Sequence, residues 1–253
     1  MGGVRYGEID ALRGTAVVMM VIFHTVFSVS FFGIVAVDVV HGFWRLFAVA
    51  TATLFIAIAG VSLSISSARS LQALGASGVA WKNIRRGAGI FLVGMGITLV
   101  TWLLVPGEYV LFGVLHCIGL SIVLSPLFLR LGRANIALGV VVILLAPLVG
   151  AGTGPLGLAW LGIHPADFAS LDYVPLVPWL GVFLAGVGLG TLLYPGGLRG
   201  FRADAGEGPH LEPVTFLGRH SLPIYLVHVP VILLVLSLLV PGLAARLISL
   251  FPG

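Results

Sequence analysis

Long apolar runs alternate with short polar segments along the whole chain. The runs are about 18–24 residues long, which is enough for a helix to cross roughly 30 Å of hydrocarbon. A membrane barrel would instead show short segments in which apolar and polar residues alternate. We therefore expect an all-α fold, a polytopic transmembrane helix bundle in one domain over residues 1–253. The seven predicted spans are 12–34, 43–66, 87–105, 109–129, 134–151, 174–194 and 216–240.

Composition supports the membrane assignment and makes disulfide, thiolate-metal and nucleic-acid-binding functions unexpected. The 253 residues are 59% hydrophobic and 9% charged, whereas soluble domains carry about 25% charged residues. Cys117 is the single cysteine, so neither an internal disulfide nor a thiolate metal site is expected. The isoelectric point near 9.7 does not indicate nucleic-acid binding, because the basic residues form no cluster on a soluble surface.

The basic residues instead predict the orientation of the chain. With seven spans, only Arg45 and Arg246 fall on one side of the membrane, and the other basic residues share the opposite side. Lys and Arg are enriched in cytoplasmic loops, so we predict a cytoplasmic N-terminus. The segment that holds Asp38 and His41 then faces outside. The residues predicted to be cytoplasmic are Arg5, Arg13, Arg69, Lys82, Arg85, Arg86, Arg130, Arg133, Arg199, Arg202 and Arg219.

Four histidines fall within the predicted spans, where ionisable groups are rare and mostly functional. His24 lies in span one and His116 in span four, while His220 and His228 share one face of span seven beside Tyr225. A simpler interpretation of each histidine is that it hydrogen-bonds a neighbouring helix. Together they favour an internal polar column. From inside to outside, its predicted members are Arg13, Arg219, His24, His228, His116 and His41.

Two short motifs have competing interpretations. In EIDALRG (residues 8–14), Asp10 and Arg13 share one helical face. The pair fits an ordinary helix start with an arginine anchored to lipid phosphate, or an anion site for phosphates entering from the cytoplasm. In span six, Gly186-x-Gly188-x-Gly190 has no preceding strand, so it predicts close helix packing rather than dinucleotide binding.

Several stretches resemble a known family in order along the chain. They are EIDALRGTAVVMMVIFHTVF, HGFWRLFAVATATLFIAIAGVSLSIS, GVLHCIGLS, PWLGVFLAGVGLG and LGRHSLPIYLVHVPV. The sequence resembles the DUF1624 family, which is related to the lysosomal transmembrane acyltransferase heparan-α-glucosaminide N-acetyltransferase. The resemblance implies transfer of an acetyl group from cytoplasmic acetyl-CoA to a glucosamine amine on the far side of the membrane. His41 occupies a place similar to that of the histidine proposed as catalytic in the lysosomal enzyme.

The resemblance implies that one end of the column binds the acyl donor and the other end catalyses the transfer. The charged nucleotide is expected near Arg13, Arg85, Arg86 and Arg219, with the pantetheine arm threading the helices. His41 would act as general base, Asp38 would orient its ring, and His116 or Tyr225 would polarise the thioester carbonyl. The residues predicted to bind the acyl donor are Asp10, Arg13, His24, Arg85, Arg86, Arg219, His220, Tyr225 and His228.

Other functional classes remain open at this point. Pro223 and Pro230 in span seven also fit a transporter with a broken helix, although no internal repeat is evident. Histidines on three spans could ligate haem iron, but the spans lack carboxylates to support them, and we expect no metal. We expect membrane lipids, acyl-CoA and a glycan or amine acceptor as partners, a possible homodimer, and the plasma (inner) membrane of a prokaryote as the location.

Overall fold

The computed structural model describes residues 5–201 and 211–243, and this part of the chain contains helices but no strand. Arg202 and Arg246, both used in the orientation prediction, lie outside the described residues. Contacts group the chain into two compact units, unit 1 (residues 1–55 and 203–253) and unit 2 (residues 56–202). The helices are α1 (Gly7–Phe31), α2 (Gly42–Leu104), α3 (Val114–Val123), α4 (Asn135–Leu144), α5 (Ala146–Gly150), α6 (Leu176–Leu193), α7 (Glu212–Arg219) and α8 (Ser221–Leu239).

The all-α transmembrane prediction is confirmed. Within the described residues, five helical segments are long and apolar enough to cross a membrane. Together they carry most of the apolar runs seen in the sequence. These segments are Gly7–Phe31, Gly42–Leu104, Leu129–Gly150, Leu176–Leu193 and Ser221–Leu239. The count of seven spans and the cytoplasmic N-terminus stay predictions.

Helix α2 folds back on itself at Gly75. Gly75 has φ +65°, a left-handed conformation that glycine adopts without steric cost. Lys82 Nζ then donates to Ser70 Oγ at 2.6 Å, and Asn83 Nδ2 donates to Ser67 Oγ at 3.0 Å. Residues this far apart touch only because the helix has two antiparallel arms, 42–74 and 76–104. The segment 67–86, which lies between two predicted spans, is therefore helical on both sides of one sharp turn.

Three other predicted spans differ in detail. The predicted span 109–129 contains the ten-residue α-helix Val114–Val123 and then a short 3-10 helix, Ser125–Leu127. The α-helix rises about 15 Å, which is too short to cross alone. The span 134–151 is interrupted before Pro147, whose ring displaces the helical hydrogen bond. The span 216–240 is broken at His220, where α7 ends and α8 begins.

The prediction of close packing around the span-six glycines is confirmed within unit 2. A Cβ on Gly186 would meet the backbone of Ala57 on α2, and one on Gly190 would meet Val61. On the opposite face of α6, a Cβ on Gly188 would lie 2.6 Å from Ile136 Cγ1 of α4. Helix α6 is thus held between two neighbours at backbone contact.

In unit 1, glycines likewise allow close backbone contact, here between α1 and α7. A Cβ on Gly14 would meet the carbonyl oxygen of Val214, and one on Gly218 would meet the carbonyl oxygen of Asp10. Only glycine allows these two backbones to approach so closely. This contact fixes the neighbouring charged side chains of α1 and α7.

Candidate functional site

Asp38 and His41 form a local pair in the segment before α2. Asp38 Oδ1 accepts the backbone N–H groups of His41 at 2.9 Å and Val40 at 3.0 Å, while Oδ2 lies 3.2 Å from His41 Nδ1. These backbone N–H groups, His41 first, lower the pKa of Asp38 below its ordinary value. An ionised Asp38 accepts the Nδ1–H proton, so the lone pair of His41 is on Nε2.

The pair is open to its surroundings. The side chain of His41 is 80% exposed and that of Asp38 is 62% exposed. An oriented imidazole with an accessible basic nitrogen has the geometry of a general base. The residues predicted as catalytic in this segment are therefore adjacent and suitably arranged.

Asp10, Arg13 and Arg219 form a charge cluster where α1 meets α7. Arg13 Nη1 lies 2.9 Å from Asp10 Oδ1, and Arg219 Nε lies 3.6 Å from Asp10 Oδ2. The Asp10 carboxylate is buried, whereas the Arg219 side chain is 48% exposed. Two guanidinium groups share one carboxylate, so the cluster keeps a net positive charge and presents Arg219 outward.

His24 and His228 meet edge to face in unit 1, with ring centroids 4.7 Å apart. His24 Nδ1 donates to the Met20 carbonyl at 2.9 Å, and His228 Nδ1 donates to the Tyr225 carbonyl at 2.6 Å. A carbonyl oxygen only accepts, so both Nδ1 atoms carry the proton. His228 Nε2 is then a buried acceptor that has no partner within the described residues.

Tyr225 and His220, also predicted to bind the donor, differ in whether they contact the His24–His228 pair. The Tyr225 ring lies 5.6 Å from the His228 ring and so belongs to the same group. His220 is exposed and its Nδ1 donates to the Phe216 carbonyl at 2.9 Å, within the turn that separates α7 from α8. His220 therefore ends a helix, and the structure does not bring it to the His24–His228 pair.

His116 is a buried histidine with both ring nitrogens in use. Its Nδ1 accepts the Gly113 N–H at 3.1 Å, and its Nε2 lies 3.2 Å from Thr98 Oγ1. Since Nδ1 accepts, Nε2 carries the proton and donates to Thr98. The ring also packs on Gly94, where a Cβ would come within 3.1 Å of it. His116 connects the start of α3 to the second arm of α2.

Arg85 and Arg86 lie in unit 2, one helical turn after Lys82 on the second arm of α2. Both arginine side chains are exposed. They are therefore positioned at the fold-back end of α2, where Lys82 and Arg69 add further positive charge. This end of the helix is therefore rich in positive charge.

Asp172 is a structural residue that the sequence did not single out. Its Oδ2 accepts the Val114 N–H at 3.1 Å and so caps the start of α3. The preceding residue, Gly113, donates its N–H to His116. Burial raises the pKa of Asp172 to about 6, and the Val114 N–H offsets part of that rise. The segment 108–113 pairs with 170–174, as in the Val174 N–H bond to the Phe112 carbonyl at 2.8 Å. No local sequence signal links these distant segments.

Asp172→Asn is expected to change the pH dependence of stability. An unfolded aspartate titrates near pH 4. Because the pKa of Asp172 is raised in the folded protein, its contribution to stability is greatest below pH 4 and is lost as the pH rises through about 6. Asparagine keeps the acceptor without the charge, so it should gain about 1–3 kcal/mol at pH 7.5 and little near pH 4. Melting temperatures from pH 4 to 8 measure this.

Asp172→Ala provides the matched control, because it removes both the charge and the acceptor. It should be less stable than the asparagine variant by about 1 kcal/mol at each pH, the usual value of a lost cap. An asparagine variant with an unchanged pH profile would assign the titration to another group.

The column predicted from the sequence is present only in parts. The structure brings His24 to His228 and His41 to Asp38 within unit 1, and it places His116 in unit 2. Among residues 5–201 and 211–243, no group of three or more His, Cys, Asp or Glu side chains is arranged to hold a metal ion.

Comparison with known protein families finds a match over most of the chain. The family described as heparan-alpha-glucosaminide N-acetyltransferase, catalytic, matches residues 5–230. No curated protein and no solved structure matches the chain. The match covers the candidate site residues from Asp10 to His228, and with the five long apolar segments it identifies an integral membrane protein.

Proposed function

We propose, since this chain belongs to the heparan-alpha-glucosaminide N-acetyltransferase catalytic family, that it transfers the acetyl group of acetyl-CoA to the amine of an amino sugar. Family membership makes the chain a transmembrane acetyltransferase in general. The observation that carries the finer proposal is the Asp38–His41 pair, an oriented imidazole outside the spans at the position that the family resemblance suggests.

Binding of the donor is proposed to depend on the basic residues of each unit. In unit 1, Arg13 and Arg219 share the single carboxylate of Asp10, so a phosphate can compete for Arg219 without leaving Asp10 unpaired. In unit 2, considered by itself, the exposed Arg85 and Arg86 are the proposed contacts for the donor's phosphates. Guanidinium groups suit this role because they form paired hydrogen bonds with phosphate oxygens.

The chemical step is proposed to use His41 as the base. His41 Nε2 takes a proton from the attacking amine as the amine nitrogen bonds to the thioester carbonyl carbon. The tetrahedral intermediate then expels the CoA sulfur as the C–S bond breaks, and the imidazolium returns the proton to that sulfur. The products are an N-acetyl amine and CoA thiol. Asp38 holds the ring and stabilises the imidazolium formed during the step.

The buried histidines are proposed to have supporting roles. His228 Nε2, paired by no described residue, can accept a hydrogen bond from an amide of the donor, with His24 and Tyr225 fixing its ring. The resemblance suggested that the thioester carbonyl would be polarised by Tyr225 or by His116. Because both of its nitrogens are already bonded, we assign it to positioning the start of α3.

The test is a transfer assay on the purified protein in detergent. With [¹⁴C]acetyl-CoA and glucosamine, we expect labelled N-acetylglucosamine and an equal amount of CoA thiol. Hydrolysis of acetyl-CoA without labelled amide would contradict the proposal. Uptake of a solute into proteoliposomes with no acetylated product would favour the transporter instead.

A further inference from the structure

A cavity of about 290 Å³ lies in unit 2 and is open on one side. It is bounded by the fold-back of α2, by the turns between α3 and α4, and by the end of α6. Leu71, Val79 and Leu129 give it a mostly apolar wall, and Ala76 and Ala80 leave the space between them open. Its volume is at the small end of the range for ligand pockets, roughly 300–1,000 Å³, so it accommodates a narrow apolar group.

The hydroxyl groups in the wall of the cavity already have partners within the protein. Ser64 Oγ lies 3.2 Å from Thr191 Oγ1, and Thr191 donates to the Val187 carbonyl at 3.0 Å. Ser67 Oγ accepts a hydrogen bond from Asn83 Nδ2 at 3.0 Å. An apolar occupant therefore breaks none of these hydrogen bonds, and the wall does not require a polar ligand.

Exposed leucines border the mouth of the cavity. Leu71, which lines the cavity, is 52% exposed. Leu127 and Leu131, which flank the lining residues Leu129 and Arg130 in the chain, are 77% and 47% exposed. Clustered apolar side chains on a surface mark contact with a partner or with a membrane. In a membrane protein, the mouth is therefore expected to face the acyl chains of lipids.

Positive and negative charges lie at opposite ends of unit 2 among residues 56–201. Arg69 Nε donates to the Gly197 carbonyl at 2.9 Å and so joins the fold-back of α2 to the end of α6. At the other end, the Leu171 N–H donates to the Glu108 carbonyl at 2.8 Å. Basic clusters of this kind attract anionic lipids. The acidic residues, all away from the fold-back, are Glu108, Asp167 and Asp172, and the basic residues on the fold-back side are Arg69, Lys82, Arg85, Arg86, Arg130, Arg133 and Arg199.

Arg130 places one of these positive charges at the cavity itself. It lines the cavity and is exposed, and within the described part of the chain its guanidinium group has no ion-pair partner. A guanidinium group binds phosphate through paired N–H groups. The cavity thus combines a narrow apolar space with a cation suited to a phosphate.

We infer that this cavity binds an anionic phospholipid, with one acyl chain against Leu71 and Val79 and the phosphate at Arg130. A zwitterionic lipid suits the apolar wall equally, but its headgroup brings a second cation to an end that is already cationic. Inorganic phosphate suits Arg130 but leaves the apolar space unfilled. The lipid site is independent of the proposed acetyl transfer, because it rests on the wall and charges of unit 2 alone.

The first test removes the charge at the cavity. In native mass spectrometry of the delipidated protein in detergent, phosphatidylglycerol should bind at least about fivefold more tightly than phosphatidylcholine with the same chains, the usual effect of one basic residue. Arg130→Gln should lose most of this preference without a change in phosphatidylcholine affinity. Arg133→Gln is the matched control, because Arg133 is exposed three residues along but does not line the cavity.

The second test fills the cavity. Ala80→Phe should weaken binding of both lipids by at least about tenfold, because the ring takes the space of two or more methylene groups of the acyl chain. Ala73→Phe is the matched control, since Ala73 is exposed on the same helix and does not line the cavity. Melting temperatures establish folding, and Arg130→Gln, at an exposed position, is expected to fold even if Ala80→Phe does not.

Three results would overturn the lipid site. Equal affinity of the unmodified protein for the two lipids, or an unchanged preference in Arg130→Gln, would remove the role of the phosphate. Unchanged phosphatidylglycerol affinity in folded Ala80→Phe would remove the role of the cavity. Displacement of phosphatidylglycerol by inorganic phosphate or by desulfo-CoA, an unreactive analogue of the donor, would assign Arg130 to a soluble anion. Each of these results leaves acetyl transfer by the unmodified chain standing.

Discussion

Replacing His41 with alanine is expected to lower the rate of acetyl transfer by about 10²–10⁴-fold, the usual contribution of a general base. The melting temperature should not change, because the side chain is 80% exposed and its polar contact within the described residues is the one with Asp38. The measurement pairs initial rates of labelled amide formation with thermal unfolding in detergent.

Asp38→Asn and His164→Ala are the controls for His41. Asparagine keeps the acceptor for the His41 and Val40 backbone N–H groups but removes the negative charge, so an intermediate loss of rate is expected. His164, whose Nδ1 donates to the Pro165 carbonyl, has no proposed role, and its variant should retain activity. Full turnover by His41→Ala would end the assignment of the base.

Replacing Gly186 with valine is expected to prevent unit 2 from folding. A Cβ at this position would meet the Ala57 backbone, including its Cα at 3.0 Å, and backbone atoms cannot move aside as a flexible side chain can. Valine adds two further methyl groups at the same contact. We expect a loss of at least about 3 kcal/mol, more than ordinary overpacking, seen as aggregation in size-exclusion chromatography.

Gly96→Ala is the matched control for Gly186→Val. Gly96 is exposed on the second arm of α2, and a Cβ there meets nothing within 4 Å. Alanine should be neutral or stabilising by a few tenths of a kcal/mol, since it favours helix more than glycine does. A monodisperse Gly186→Val protein with an unchanged melting temperature would show that α6 and α2 tolerate a wider separation.

The sequence predicted the helical membrane fold well because the lengths and composition of apolar runs report directly on membrane crossing. The glycine triplet of α6 was also interpreted correctly, since small residues four apart indicate helix contacts. The sequence predicted spans two and three on either side of residues 67–86, but it did not predict that helix continues up to and after the turn at Gly75. Ser66, Ser67 and Ser70 gave no local sign of this. In the structure they pair with Lys82 and Asn83 across the turn.

The candidate site was only partly predictable from the sequence. Asp38 and His41 are three residues apart, so their pairing follows from local geometry. The pairing of His24 with His228 depends on how α1 and α8 pack and has no local signal. His116 looked functional because it is a histidine in an apolar run, and the structure shows Gly113 and Thr98 satisfying both its nitrogens. Asp172 escaped notice because its partner, Val114, lies 58 residues away.

The most direct measurement of the central claim separates donor and acceptor by a membrane. Protein is reconstituted into sealed liposomes in one orientation, with [¹⁴C]acetyl-CoA supplied on the side predicted to be cytoplasmic and glucosamine on the opposite side, where His41 is predicted to lie. The account predicts labelled N-acetylglucosamine on the glucosamine side, reduced at least a hundredfold in His41→Ala. Product formed only when both substrates are on the same side would contradict transfer across the membrane.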